Sequence, residues 1–334
     1  MKTLLLKIIE MQNKYKILPP FLILAPMDDV TDSPFRSIIR DLSPPDLFFT
    51  EFTNVDGLQS KGQDIVKQKL YNYEESNNLI AQIWGLKPEN FYITAQQIAK
   101  GKFGKFLGVD LNMGCPDKSI TKNGACSALI KNRDLAKDII QSTKEGLNNQ
   151  LPLSVKTRLG YNEIDYSWHE FLLNQEIDML IIHGRTKSQM SKTSADWNAI
   201  NEIRKLRDKI SPTTLIVGNG DVVSYRDALK KAQKYSLDGI MIGRGIFSDP
   251  YVFSLDSSWN TLNIDQRLNI FKKHINYFRE RWASQKPVYI LNKFCKVYIN
   301  NFDGSKSIRE ELMSSKSIDE LIAKIKEIEL KFPG

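Results

Sequence analysis

Thr214-Leu215-Ile216-Val217-Gly218-Asn219-Gly220-Asp221, then the polar segment Tyr225–Tyr235, then Gly239-Ile240-Met241-Ile242-Gly243-Arg244-Gly245: this stretch decides the fold. A short apolar run ends in glycines and polar groups, an amphipathic segment of helical length follows, and a second apolar run ends the same way. That is the pattern of a strand, a helix and a parallel strand. Working outward, the unit recurs. Candidate strands lie at Phe21–Ala25, Leu47–Phe52, Leu79–Ile83, Leu107–Leu111, Leu153–Thr157, Met179–Ile182, Thr214–Val217 and Gly239–Ile242. Intervening helices are expected at Asn90–Lys100, Asp134–Asn148, Asn198–Arg207 and Tyr225–Tyr235. Eight such strands predict an α/β protein built on a (β/α)8 TIM barrel, with an open doubly wound sheet as the alternative. The interval between the fourth and fifth strands is the longest. Its first part, Asn112–Asn132, is rich in small and polar residues and is expected over the C-terminal mouth.

Past Tyr251 the alternation stops. Ile264–Glu280, Pro287–Asn300, Ser307–Met313 and Ile318–Lys331 read as helices, with turns at Asp303-Gly304 and Ser314-Ser315. Ser317-Ile318-Asp319-Glu320 has the form of a cap for the last one. The expected organisation is therefore an extension over 1–20, a barrel over 21–255 and a small all-α domain over 256–334.

Composition sets outer bounds. The 334 residues are 41% hydrophobic and 26% charged, which excludes a disordered or collagenous chain. No apolar run approaches the ~18–20 residues of a membrane span. Lys7 interrupts the opening apolar stretch, so a secretory signal is not expected. Three cysteines, Cys115, Cys126 and Cys295, without a C-x-x-C pair point to a cytoplasmic protein without a metal centre. The net charge of +8 is weak evidence for a polyanionic partner, but its distribution says more. Between Phe271 and Asn300 seven cations (Lys272, Lys273, Arg279, Arg281, Lys286, Lys293, Lys296) face one acid, Glu280. Phe271, Tyr277, Phe278, Trp282, Tyr289, Phe294 and Tyr298 are interleaved with them. Such a mixture suits RNA; taken alone, it suits an aromatic core under a solvated cationic face better.

The unusual residues fall at the C-terminal ends of the strands. Gly218-Asn219-Gly220-Asp221 and Gly243-Arg244-Gly245 follow the seventh and eighth strands, where barrels often hold a phosphate. Lys156 and Arg158 alternate on the fifth strand and can point to one side, where two cations are costly unless they face an anion or an electron-rich ligand such as a reduced flavin. His183 ends the sixth strand; His169 and His274 lack such context and read as structural. Cys115, between Gly114 and Pro116, is a thiol over the mouth without a second ligand at metal spacing, and a protonated thiol there can serve as an acid. Cys126 and Cys295 read as packing.

These motifs resemble the tRNA-dihydrouridine synthase family. The resemblance is carried in order by Leu24-Ala25-Pro26-Met27-Asp28-Asp29-Val30-Thr31-Asp32-Ser33-Pro34-Phe35-Arg36, Asn112-Met113-Gly114-Cys115-Pro116, Val155-Lys156-Thr157-Arg158-Leu159-Gly160, His183-Gly184-Arg185-Thr186 with Ala195-Asp196-Trp197, Gly218-Asn219-Gly220-Asp221 and Ile242-Gly243-Arg244-Gly245. It runs from about residue 21 to 253 and more faintly through the tail. It implies an FMN-binding barrel followed by a helical tRNA-binding domain. In that family NADPH reduces the flavin, hydride passes from flavin N5 to C6 of a uracil, and a cysteine protonates C5. By motif, Cys115 would be the proton donor. Ala25, Pro26 and Met27 would pack near the flavin ring, and Gln82, Lys156 and His183 would contact its polar edge. Asn219, Gly220, Asp221, Gly243 and Arg244 would hold the ribityl phosphate, while Asn112, Arg158 and Arg185 would orient the uracil. Two departures are visible: residues 187–194 lack the tyrosine and glycine common near Ser191 and Thr193, and Cys126 stands where a glycine is usual.

The implied activity is FMN-dependent, NADPH-driven reduction of tRNA uridines to 5,6-dihydrouridine by a monomeric enzyme. An FMN-dependent reductase of a small pyrimidine or enone, resembling dihydroorotate dehydrogenases, is the alternative within enzymes. An RNA-binding protein of the same fold without redox chemistry is the alternative outside them. Extruding a uracil from folded tRNA costs a few kcal/mol, which a basic helical domain could recover by holding the RNA's shape and phosphates.

Overall fold

The computed structural model describes residues 20–73, 77–282, 285–300, 302 and 304–331; the expectations for residues 1–19 and for Asp303 lie outside them. All strands are parallel. They are β1 (Phe21–Leu24), β2 (Phe48–Phe49), β3 (Thr53–Asn54), β4 (Leu79–Trp84), β5 (Gly108–Met113), β6 (Leu153–Arg158), β7 (Met179–His183), β8 (Leu215–Asn219) and β9 (Gly239–Ile242). The order β1-β9-β8-β7-β6-β5-β4-β2 runs round a ring. A bridge between Ile23 and Leu47 closes it, with Leu24 N–H donating to Leu47 O at 3.1 Å and Leu47 N–H to Leu22 O at 3.2 Å. The eight expected staves are all present and form a TIM barrel rather than an open sheet.

The second stave differs from the single strand expected over Leu47–Phe52. Phe48 pairs with Leu79 but Thr53 with Ile83, so one more residue lies on this strand than on its partner. The extra residue splits it into β2 and β3, as a bulge does.

Alternate residues of the staves fill the barrel. Phe21, Ile23, Ala25, Phe49, Ile80, Met179, Ile181, Leu215, Val217 and Met241 form one buried apolar cluster. The period-two geometry of a strand puts every second side chain on this inner face, and the apolar filling makes the interior a core rather than a channel. Helices between the staves carry their own caps. Asn132 Oδ1 accepts from Leu135 N–H at the start of the helix Arg133–Leu147, and Asp196 Oδ1 from Ala199 N–H at the start of the helix Trp197–Ile210. The helices of the alternation are α1 (Ser33–Leu42), α2 (Pro88–Ala99), α3 (Arg133–Leu147), α4 (Tyr166–Leu173), α5 (Trp197–Ile210) and α6 (Tyr225–Tyr235).

The chain divides into two compact units. Among the described residues, one holds the staves and spans those within 20–28, 45–222 and 226–243; the other gathers those within 29–44, 223–225 and 244–331. The second unit contains α1 together with α7 (Ile264–Trp282), α8 (Asn292–Tyr298), α9 (Ser305–Met313) and α10 (Ile318–Lys331). The helix expected over Pro287–Asn300 opens instead as a tighter 3-10 turn, Val288–Leu291, before α8. Ser317 caps α10 through Glu320 N–H at 3.1 Å, while the Glu320 side chain reaches Lys316 N–H at 2.8 Å. No helix among the described residues is long and apolar enough to cross a membrane.

Most of the aromatic and cationic segment is structural. Phe271, Phe278, Trp282, Phe294 and Tyr298 are buried. Lys272 pairs with Glu329, Lys273 with Asp41 and Arg279 with Asp319, so much of the cationic run is neutralised within its own unit. Tyr289 is the exposed aromatic of the segment, at 65%.

Asp32, in the first family-like motif, turns out to be a knot in this unit. Its Oδ1 caps α1 through Phe35 N–H at 3.1 Å, its Oδ2 accepts from Trp282 Nε1 at 2.9 Å, and Lys286 Nζ lies 3.8 Å away. Burial raises its carboxyl pKa despite the cation beside it. Asp32→Ala removes the cap and leaves a buried indole N–H without its acceptor. A loss of roughly 3 kcal/mol is expected in urea unfolding, and Asp32→Asn should recover only part of it, because its amide keeps one oxygen acceptor and turns an NH2 donor toward the other N–H.

Candidate active site

Where the apolar filling ends, the inner face becomes polar. Asp110 of β5 is fully buried and accepts from Ser154 Oγ at 2.6 Å and Gln82 Nε2 at 2.7 Å. Burial pushes its carboxyl up to about 6, against these two bonds and the charge of Lys156. Gln82 Oε1 in turn accepts from Asn112 Nδ2 at 3.3 Å, and Gln82 N–H donates to Thr50 Oγ1 at 3.0 Å. Gln82 is thus held on both sides of its amide.

Lys156 lies on β6, in register with Asn112 and Ile181. Among the described residues its ammonium has no ion-pair or hydrogen-bond partner. Burial brings its pKa down to about 8, helped by Arg158 and opposed by Asp110. Arg158, expected beside it, points its donors elsewhere. Nε donates to Gly114 O at 2.7 Å and Nη1 to Thr186 O and Met190 O, each at 3.1 Å. Loss of water brings its pKa down to about 10. It ties the loop after β5 to the loop after β7.

The Cys115 loop is shaped by its neighbours. Asn112 Oδ1 accepts from Gly114 N–H at 3.1 Å and Cys115 N–H at 3.0 Å, a side-chain turn that a strand-ending asparagine readily makes. Ser127 holds the Cys115 carbonyl with its hydroxyl at 2.8 Å and its amide at 3.3 Å. The half-buried Cys115 thiol has its pKa raised, chiefly by burial and further by the Asp117 charge, while the Asp117 amide, Arg158 and Lys156 pull the other way. Cys126 is buried and sits at φ 54°, the left-handed region that favours glycine, which accounts for the glycine usual there. Cys295 is buried in α8 with its thiol pushed up to about 12. His169 and His274 are also buried, with pKa values brought down by burial to about 4 and about 3.

A second constellation surrounds His183. Arg185, 2% exposed, donates from Nε to Thr193 O at 2.6 Å, from Nη2 to Asp221 Oδ2, and from Nη1 towards His183 Nε2 at 3.1 Å. A guanidinium can only donate, so His183 Nε2 must accept and the ring proton resides on Nδ1. Asp221 Oδ2 also accepts from Ala195 N–H at 2.8 Å, which joins the His183 motif to Ala195-Asp196-Trp197. Gly220 has φ +131°, and a Cβ there would stand 2.7 Å from Ala195 Cβ. Only glycine permits both the turn and the approach. Asn219 is buried, with Nδ2 donating to Met241 O at 2.8 Å.

The remaining expected residues are placed as follows. Ala25 is buried and its N–H donates to Ile242 O at 2.8 Å; Pro26 and Met27 are half-buried. A Cβ on Gly243 would meet only Ala25 Cβ, at 3.6 Å, so the backbone there is open to approach. All these residues belong to the barrel unit, whereas Arg244 begins the other. The structure therefore brings Gln82, Asn112, Cys115 and Arg158 into one connected network, with Lys156 on the strand beside it, and His183, Arg185 and Asp221 into another. Sequence reading missed Asp110, Ser127 and Thr193. Asp110 stands two residues before Asn112, and strand alternation alone would have aimed it inward.

A family model described as dihydrouridine synthase matches residues 23–331. The chain is 41% identical over 330 residues to a probable tRNA-dihydrouridine synthase 2 of Bacillus subtilis, covering 96% of this chain and 98% of that one. It is 42% identical over 323 residues to a probable tRNA-dihydrouridine synthase of Staphylococcus aureus, covering 95% and 96%. Among solved structures, a histamine dehydrogenase from Rhizobium matches with a TM-score of 0.50 at 13% identity, over 77% of this chain and 48% of that one, which is likeness of fold alone. The chain belongs to the dihydrouridine synthase family.

Proposed function

We propose that this chain is a tRNA-dihydrouridine synthase that uses FMN, with NADPH as reductant, to reduce the C5–C6 double bond of specific tRNA uridines. The observation that carries the flavin is Lys156, a partly covered ammonium at the barrel mouth with no protein partner among the described residues. Such a cation needs an electron-rich ligand, and a flavin ring, which gathers negative charge near N1 when reduced, supplies one. Gln82 and His183 would share that polar edge, and Ala25, Pro26 and Met27 its apolar side. Asn219, Gly220, Asp221 and the open backbone at Gly243 would take the phosphate; Arg244 joins them by its motif rather than by placement. When bound there, a reduced flavin would supply the hydride for C6 of the uracil.

The chain's own part is to present a proton to C5. Burial keeps the Cys115 thiol protonated at neutral pH, as an acid requires and a nucleophile does not. Asn112 and Ser127 fix the loop that carries it. We propose that Asn112 and Arg158 orient the uracil through this loop and that Arg185 does so through His183. The helical unit is proposed to hold the tRNA, and the setting to be a monomer in the cytoplasm. Mass-spectrometric mapping of dihydrouridine, on tRNA lacking it, after incubation with protein and NADPH tests the proposal. Dihydrouridine at defined positions supports it; flavin and NADPH oxidation without any dihydrouridine would turn the reading to a small-molecule reductase.

A further inference from the structure

Beside the Cys115 loop lies a cleft of about 680 Å³ between residues 130–134 and 161–165, entirely within the barrel unit. Nothing in the flavin and uracil scheme uses it. Lys131 Nζ sits 3.7 Å from the ring centre of Tyr161, and Lys187 Nζ 4.8 Å from the same ring. Neither ammonium has a carboxylate partner among the described residues; of the three acids that line the cleft, Asp134, Glu163 and Asp165, the last is engaged by Arg133 at 3.0 Å. Two like charges are thus drawn to one tyrosine at the edge of a cleft. Their contact with the ring is a weak compensation, because an exposed cation on an aromatic face gains little.

Three strand-end loops meet at this point. Lys131 ends the 3-10 helix Cys126–Lys131, whose Ser127 holds the Cys115 carbonyl. Tyr161 follows β6, the strand of Lys156. Lys187 follows β7, and its loop is stitched to the second by Lys187 N–H on Gly160 O and Ser188 N–H on Tyr161 O, both at 2.9 Å. A ligand here would touch the loops after β5, β6 and β7, the first of which carries the thiol.

We infer that the Lys131–Tyr161–Lys187 cleft is a nucleotide subsite for the tRNA strand flanking the target uridine, taking a base on Tyr161 and its phosphate between the two lysines. The inference rests on tRNA being the substrate. A nucleobase stacked on tyrosine outcompetes an exposed ammonium for the ring face, and the displaced ammonium is then beside the phosphate. A single-stranded segment is the form required, because the target itself must leave the stack.

The test compares wild type, Lys131→Ala/Lys187→Ala, Tyr161→Ala and Tyr161→Phe in binding tRNA that lacks dihydrouridine, across a salt series. The double variant is expected to weaken binding about tenfold and to flatten the slope of log affinity against log salt by about 0.7 for each phosphate released. Tyr161→Phe is expected to bind as wild type and Tyr161→Ala more weakly, with NADPH-driven flavin reduction unchanged in all four. If the double variant keeps the wild-type affinity and slope, the lysines are a solvated pair and the subsite is wrong. If the wild type itself does not bind tRNA, the functional reading fails first, and the two failures are told apart by that control.

Discussion

Replacing Cys115 with alanine is expected to lower dihydrouridine formation by 10²–10⁴-fold, the usual worth of a positioned acid, while NADPH still reduces the bound flavin at the wild-type rate. The split between the two half-reactions follows from where the thiol stands. Its loop is fixed by Asn112 and Ser127 rather than by the groups assigned to the flavin's phosphate, so its removal leaves those groups in place. Stopped-flow reduction by NADPH, followed by single-turnover transfer to tRNA, measures the halves separately. The pH dependence has a definite sign. Burial and Asp117 raise the thiol pKa, so the acid is present through neutral pH and is lost only as pH rises past the ordinary thiol range. Transfer should therefore show an alkaline limb that flavin reduction lacks. Equal loss in both halves would remove Cys115 from the role of acid and make it a structural part of the flavin site.

The repeat of apolar run and amphipathic segment was enough to read the barrel, because each parallel strand is buried on both faces and writes itself as a short continuous run. It was not enough to see the break in the second stave. Thr50 and Glu51 interrupt the apolar run Leu47–Phe52 without marking a bulge, and the extra residue appears only when Phe48 and Thr53 are matched to Leu79 and Ile83. The grouping of α1 with the C-terminal helices was likewise invisible. It rests on contacts between distant residues, among them the bond from Trp282 to Asp32, 250 residues apart, and the packing of Phe35 against His274 and Phe294, which no local pattern announces.

The site divides the same way. Positions were legible, since strand ends are where a barrel keeps its chemistry. Orientations were not. Lys156 and Arg158 alternate on one strand, yet the lysine is without a partner among the described residues while the arginine spends Nε and Nη1 on carbonyls of two loops. Which alternate residue braces and which is left for a ligand depends on what the neighbouring loops offer, and that is tertiary information. Arg185 is a similar case: its distance from His183 fixes a tautomer, which residue type and spacing leave open.

Lys156→Met should separate stability from binding with opposite signs. In the flavin-free protein Lys156 titrates at about 8, whereas in the unfolded chain it holds its proton to about 10.4. As pH falls from 10 to 8 the unfolded chain takes up a proton that the folded barrel does not, so folding is penalised, and the penalty is complete below about 8. Its size at neutral pH is on the order of 2–3 kcal/mol. Methionine has a similar length and no charge, so the flavin-free variant should be at least as stable as wild type in urea. Part of the gain is offset at Asp110, which loses the neighbouring cation and is pushed above its present value of about 6. Binding goes the other way. A charge-assisted hydrogen bond is worth about 1.5–3 kcal/mol, so flavin affinity should fall 10–100-fold and the purified variant should lose its yellow colour. Flavin binding to wild type between pH 8 and 10 should take up a proton, which calorimetry in buffers of different ionisation enthalpy detects, and the variant should not. Were Lys156→Met to bind flavin as tightly as wild type, the ammonium would have to serve the substrate instead, and its effect would appear in the affinity for tRNA.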